Sequence, residues 1–409
     1  MKLFYEIHTL TNRPPSCLNR DDLGNHKNTV YGGYRRAYIS SQCQKKAAAD
    51  YLKTLIAEGK IGLRTDNIVK AVVDKAAKTM PELDVADLQK KVCVAITAAG
   101  FAVDKDTFKS PVIFYLSQGQ IQSILTTILD HQDSINWENA WEKIGKDKKA
   151  KKAKKTDNED ETEDEKKSSS SIPSKFVNAI KASIEDHCDS VDQALRGRML
   201  ANLPRGSIAA AYMTAPEISI NEFTLDQDYY VSHVDDPEPG SGAKNLGHTS
   251  FGSFCGYHYG CVSADQYLTN LNKTVVDDDI ATELGAWLES VVKSQPSAKQ
   301  TTMAAYSFPS VILVPVRRNS GPYSLAKAFE RPVRPHSYGD KSLTRMGVDA
   351  LVTEYQRVDQ GFDGLLSKSG TVYALILEEG VELPPDVNFE ICSSFGDLLS
   401  KVKADLLKG

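Results

Sequence analysis

The chain has no run approaching the roughly 18 apolar residues that a membrane span needs. Its first residues, MKLFYEIHTL, carry Lys2, Glu6 and His8, which leaves no apolar stretch to act as a signal peptide. A cytoplasmic protein with no membrane partner is expected. There is no excess of positive charge either: over 409 residues the net charge is −5, so any nucleic-acid binding has to come from local charge rather than from the field of the whole molecule. A disulfide framework is also missing. Seven cysteines run from Cys17 to Cys392, an odd number without framework spacing, and read as reduced thiols. Cys255, His258 and Cys261 are their one cluster with metal-ligand character. On a strand, alternation turns His258 away from the two thiols, and a fourth ligand is lacking, so no metal is expected.

Familiar catalytic motifs are absent too. Gly242–Thr249 has the spacing of a P-loop, but His248 stands where the lysine belongs, and Asp-Asp-Pro-Glu-Pro precedes it where a buried strand is required. No G-x-S-x-G elbow or H-E-x-x-H helix occurs, and no cofactor is expected. The pair Asp21-Asp22 is the single candidate for catalysis. Two carboxylates among cations can hold Mg²⁺ against an RNA phosphate; the favoured reading is that they pair with Arg20, Arg35 or Arg36 and shape a loop.

What the chain does have is a concentrated basic segment. Between residues 11 and 46, Arg13, Arg20, Lys27, Arg35, Arg36, Lys45 and Lys46 face only Asp21 and Asp22, seven minus two, a local +5. Residues 2–10 alternate as a strand, with Leu3, Tyr5, Ile7 and Thr9 on one face. Residues 11–34, rich in Pro, Gly and Asn, read as a long loop, and Arg35–Ile39 as a return to the sheet. Ser41-Gln-Cys-Gln44 has the form of a capping box opening a helix that runs to about Glu58, stopped by Gly59.

Residues 65–195 read as mostly helical, from Val85, Leu88, Val92, Ile96 and Ala99, and from Ile121, Ile124, Leu125 and Ile128. Inside them, 146–171 is a lysine block followed by an acidic block and a serine run, an expected disordered insertion. Past residue 200 strands are expected at Ser207–Met213, Ile218–Phe223, Tyr229–Val234 and Phe254–Val262, with a protruding hairpin tip at Asp235–Thr249. A helix at Ile280–Lys293, strands at Ser310–Val316 and Thr371–Glu378, and a helix at Phe395–Leu407 follow. This mixture implies an α+β sheet domain, such as a ferredoxin-like or RRM-like core.

Pro15-Ser-Cys-Leu-Asn-Arg-Asp-Asp22, Gly32-Gly-Tyr-Arg-Arg36 and Ile39-Ser-Ser-Gln42 resemble the N-terminal signature of the CasC family, the guide-RNA backbone subunit of the type I-E CRISPR Cascade complex. Ala194-Leu-Arg-Gly-Arg-Met199, Ser207-Ile-Ala-Ala-Ala211, Asn245-Leu-Gly247, Ala298-Lys-Gln300, Ala304-Ala-Tyr306 and Ser324-Leu-Ala-Lys-Ala-Phe-Glu330 follow in the same order. The resemblance covers most of residues 1–335.

It implies an RRM/ferredoxin-like palm (1–60 and 196–409), a helical finger insertion (61–195) and a β-hairpin thumb (222–255). It implies a non-catalytic protein that binds crRNA, stacks head to tail with itself, and meets target DNA and the other Cascade subunits: the large, small, crRNA 5′-end and crRNA-processing ones. By resemblance Arg20, Lys27, Ser40, Gln42 and Lys45 hold guide RNA. Ala49 stands at a further basic position of the family, where Lys46 is the available substitute. Met199 matches a residue that wedges against a displaced nucleotide, although a methionine in such a pattern also suits a core. Tyr230, Val231, Ser232 and Leu246 match the thumb. Such a protein has to bind any spacer, so it contacts phosphate and sugar rather than base edges. The alternative is a metal-dependent enzyme that cleaves target RNA with Asp21 or Asp22. A lone RNA-binding regulator, working as a monomer, is the third reading.

Overall fold

The computed structural model describes residues 2–144, 172–186, 188–232, 245–334, 341–381, 383 and 387–408. The expected disorder over 146–171 and residues 235–244 of the expected hairpin tip lie outside them. The chain forms two compact units, Met1–Ile56 with Ala211–Leu268 and Thr274–Gly409, and Ala57–Ala210 with Thr269–Lys273.

The first unit is built on a mixed sheet. Its strands are β1 (Leu3–Ser16), β2 (Asn28–Tyr31), β3 (Tyr34–Ile39), β6 (Tyr212–Thr214), β7 (Glu217–Ser219), β8 (Asp226–Ser232), β9 (Asn245–Ser263), β10 (Val311–Arg318), β11 (Val372–Ile376) and β12 (Phe389–Ile391). The order is β12-β11-β10-β1-β9-β7-β3-β2, with β6 and β8 also paired to β9. Only the β11–β12 pair is parallel.

The alternation of β1 has both faces covered. Tyr5 and Ile7 are buried on one, where the Tyr5 hydroxyl donates to the Leu284 carbonyl (3.0 Å) of the helix Asp278–Lys293. Leu10 is buried on the other, with Val348, Leu351 and Tyr355 of the helix Leu343–Gly361. Helices on both faces force Glu6 and His8 inside, where each needs a partner. Glu6 accepts from Arg317 Nε at 2.6 Å, and His8 lies 3.0 Å from Glu6 and 2.9 Å from the Tyr257 hydroxyl. Burial pushes the Glu6 carboxyl up, but His8 and Arg317 outweigh it and hold it below its usual range.

β1 is longer than its alternation suggested, running through Pro14 and Pro15 to Ser16. Proline has no N–H for a ladder, but its pairing with β9 is already irregular between Arg13 and Ser16, so no hydrogen bond is lost there. The expected loop therefore shrinks to the residues between Ser16 and Asn28. The first helix, α1 (Ser41–Leu52), is capped by Ser40 rather than Ser41 and stops before Glu58.

The second unit is helical, as the periodicity indicated: α2 (Ile68–Thr79), α3 (Val85–Ala98), α4 (Gln118–Asp130), then the helices Ser174–Glu185 and Val191–Arg196. Leu88, Val92 and Ile96 meet Ile121, Ile124, Leu125 and Ile128 in one core with Phe176 and Ile180. A reciprocal capping box, Ser117 with Gln120, starts α4. A small antiparallel pair, β4 (Leu63–Thr65) and β5 (Phe114–Leu116), completes this unit.

Candidate nucleic-acid interface

The loop after β1 is anchored before it can present anything. Cys17 and Leu18 are buried, and the His26 N–H donates to Ser250 Oγ (3.0 Å) while its ring lies 5.1 Å from Phe223 and 5.7 Å from Phe254. Asn19 then ties the segment together. Its carbonyl accepts from the Lys27 N–H (2.8 Å), and its side-chain oxygen accepts from the Ser40 N–H (2.9 Å). One asparagine thus brings exposed Arg20, half-buried Lys27 and the start of α1 to one place. Asn19 lies within the Pro15–Asp22 motif, which by itself assigns it no role.

At the start of α1, Ser40 Oγ accepts from the Cys43 N–H (3.3 Å), and Gln42 is exposed one position into the first turn. Lys45 is half-buried, with its ammonium 5.7 Å from the centre of the Tyr212 ring. Lys46 is exposed and ion-paired with Asp50. Ala49 is only 2% exposed, so the position one turn beyond Lys45 faces the core.

Only part of the basic segment is open charge. Arg13 is buried and grips Glu217 with two bonds of 3.0 Å, while Gln44 donates to the same carboxylate at 2.6 Å. Burial pushes Glu217 up, and Arg13 outweighs it, leaving the group below the usual carboxylate range. Arg36 is buried too, donating to the carbonyls of Ser219, Ile220, Phe329 and Glu330 at 2.7–3.2 Å. Arg20, Arg35 and Lys46 are exposed, and Lys27 and Lys45 are half-buried. Lys299 joins them unforeseen. Burial raises the Cys17 thiol, and the charges of Arg20 and Lys299 oppose that rise. Its signal was the Ala298-Lys-Gln300 block.

Asp21 shapes the loop through backbone amides: Oδ1 accepts from the N–H groups of Leu23 (3.0 Å) and Asn25 (2.8 Å). Asp22 is exposed. No group of three or more His, Cys, Asp or Glu side chains among the described residues is arranged to hold a metal ion. His258 donates to or accepts from Thr214 Oγ1 at 2.7 Å, and Cys255 and Cys261 are buried.

The hairpin of β8 and β9 pairs Tyr230 with Gly247, Val231 with Leu246 and Ser232 with Asn245. Opposed residues share a face and successive ones alternate. Val231 and Leu246 therefore lie on one side and Tyr230 on the other, so the four hairpin residues do not form one surface. Tyr230 is 50% exposed and Leu246 64%. A Cβ on Gly247 would lie 2.4 Å from the Tyr230 ring, so only glycine lets that ring cross the partner strand.

Met199 belongs to the second unit, and it is not a core residue. Its side chain is 86% exposed, while its neighbour Arg198 is buried and donates to the carbonyls of Gly206 (2.8 Å), Tyr115 (3.1 Å) and Ile184 (3.0 Å) and to Gln120 Oε1 (3.0 Å). Gly197, at φ +73°, makes the turn between the helix and this anchor; a Cβ there would meet the Ile208 carbonyl at 2.7 Å. The chain direction thus sends Arg198 inward and Met199 out.

The family model described as CT1975-like protein matches residues 5–381. Among solved structures, a chain of a "CRISPR RNA-guided surveillance complex, pre-nicking" is 22% identical at a TM-score of 0.77, covering 98% of this chain and 100% of that one. A chain of another "CRISPR RNA-guided surveillance complex" is 21% identical at a TM-score of 0.67, covering 98% of this chain and 99% of that one. At these identities the likeness is one of fold. No curated protein matches the sequence.

Proposed function

This chain belongs to the CT1975-like protein family, and from that premise we propose that it coats the guide RNA of a CRISPR surveillance complex as a non-catalytic backbone subunit. On this reading it is a type I-E, CasC-like protein of the cytoplasm. Its first unit supplies an RRM- or ferredoxin-like palm, its second the fingers, and the β8–β9 hairpin the thumb. Copies assemble head to tail on crRNA and meet target DNA and the remaining subunits.

The Asn19 junction carries the proposal. It gathers Arg20, Lys27 and the Ser40-capped start of α1, with Gln42 in the first turn and Lys45 one turn on. These are cations, an amide and helix-start N–H groups, which suit phosphate and sugar oxygens of any sequence. Asp21 supports the non-catalytic side of the reading, since two backbone amides occupy one of its carboxylate oxygens.

The test is co-expression with guides of increasing spacer length, recording mass and RNA content. Mass rising in steps with the spacer is expected. An RNA-free monomer would remove the proposal, as would Mg²⁺-dependent cutting of complementary RNA that is lost in Asp21→Ala or Asp22→Ala.

A further inference from the structure

In the second unit, Arg64 on β4 stands directly opposite Tyr115 on β5. Its guanidinium carbon is 5.3 Å from the centre of the Tyr115 ring. Arg196, the last residue of the helix Val191–Arg196, reaches the same ring at 5.7 Å. Two guanidiniums are therefore gathered at one aromatic side chain.

That ring is held rigidly. The Tyr115 hydroxyl donates to Asp192 Oδ2 (2.6 Å), and its carbonyl accepts from Gln193 (2.6 Å) and Arg198 (3.1 Å). Asp192, buried and accepting from the Gly62 N–H at 2.7 Å through its other oxygen, supplies one negative charge at the hydroxyl end of the ring. Among the described residues no carboxylate oxygen lies within 4.0 Å of Arg64 or Arg196, although surface cations elsewhere in this unit, such as Lys70 and Lys91, have one. Two guanidiniums and one carboxylate leave this ring with an excess of one positive charge.

We propose that Arg64 and Arg196 clamp a phosphodiester of the nucleic-acid strand that packs against Met199, three residues beyond Arg196. The physical case has three parts. Cation–π attraction to Tyr115 holds each guanidinium at little cost in freedom. Each planar fork offers paired N–H donors matched to phosphate oxygens. An anion that both reach offsets the positive charge they leave in excess. The buried Arg198 and the Gly197 turn link clamp and Met199 in one rigid segment. The clamp deepens the RNA-coating function proposed above and rests on it.

The test titrates the purified full chain with oligouridylate across a range of salt, comparing wild type, R64Q/R196Q, R64K/R196K and, as a reference on the first unit, K45A. Thermal melting reports whether each variant folds. For R64Q/R196Q the slope of log affinity against log salt should shrink by about 0.7, the share of the one single-strand phosphate that the clamp neutralises. R64K/R196K should keep much of the slope, since charge survives without the fork. If K45A weakens binding while folded R64Q/R196Q matches wild type, the clamp is wrong and the RNA-coating reading stands. If R64Q/R196Q weakens binding while K45A does not, the clamp stands and the first unit's site falls. Wild type that binds no RNA removes both. If R64Q/R196Q keeps the slope but stops copies adding along a longer guide, the clamp is overturned in favour of an acidic surface on a second copy.

Discussion

The junction of the first unit and the Arg196–Met199 segment of the second solve the same problem with different chemistry. Each divides its arginines between inside and outside. Arg13 and Arg36 are buried while Arg20 and Arg35 are exposed; Arg198 is buried while Arg196 is not. Inward arginines satisfy carbonyls and carboxylates and fix the backbone, and outward ones remain for a ligand. The outward groups differ. The first unit offers lysines, an amide and a capped helix start, whereas the second offers a thioether beside two guanidiniums on a tyrosine. The lesson is that counting positive charge along a segment overstates what a ligand meets, because part of that charge holds the fold.

The largest effect is expected at Arg13. Replacing it with alanine leaves Glu217 charged and buried without its partner, so we expect a loss of about 3–5 kcal/mol in urea unfolding. Arg20→Ala should stay within about 0.5 kcal/mol, as exposed positions do. Equal losses would end the division into inward and outward arginines.

Acid should separate the two units. Burial pulls the His258 pKa down to about 4, with Glu217 only partly opposing this. Its ordinary value is 6.5, so below that pH the unfolded chain takes up a proton that the folded chain refuses. Stability is therefore lost as pH falls from 6.5 towards 4, by about 2 kcal/mol between pH 7 and pH 5. Glu217, held low, adds a further loss as pH drops below the usual carboxylate range. The second unit has no fully buried histidine among its described residues. Hydrogen exchange at the two pH values should show opening concentrated in the first unit; uniform opening would contradict this.

A smaller effect is expected at Ser40. Ser40→Ala removes the cap of α1 at about 1 kcal/mol, and because the cap sits at the Asn19 junction, RNA affinity should drop alike for every spacer sequence. A sequence-dependent drop would point to base reading instead. The smallest effect on stability belongs to Met199→Ala, within about 0.5 kcal/mol for so exposed a side chain. A loss of several kcal/mol would mean that Met199 packs against something in the folded chain after all.

Much of the architecture was legible beforehand. The helical spacing of Leu88, Val92 and Ile96 and of Ile121, Ile124 and Ile128 corresponds to real buried faces, because a 3.6-residue period survives any tertiary context. Strand ends were less legible, as with β1 running through two prolines at an irregular ladder. The cap of α1 lies one residue before the expected one, since the capping-box pattern fits Ser41 with Gln44, while Ser40, with Cys43 three residues on, is the residue with extended backbone that accepts from the Cys43 N–H. Lys299 and Arg64 were not legible as partners of their neighbours, being 279 and 51 residues away from Arg20 and Tyr115 along the chain.

By itself, the sequence determined which segments alternate and which turn, where charge accumulates, and which motifs resemble a known family. Those properties depend on neighbours within a few residues. Only the tertiary structure decided which arginines face inward, that Ala49 is buried, that Met199 protrudes, and that Tyr115 collects two guanidiniums. Each of those depends on what another part of the chain places opposite: a carboxylate, a carbonyl or an aromatic ring contributed from far along the sequence.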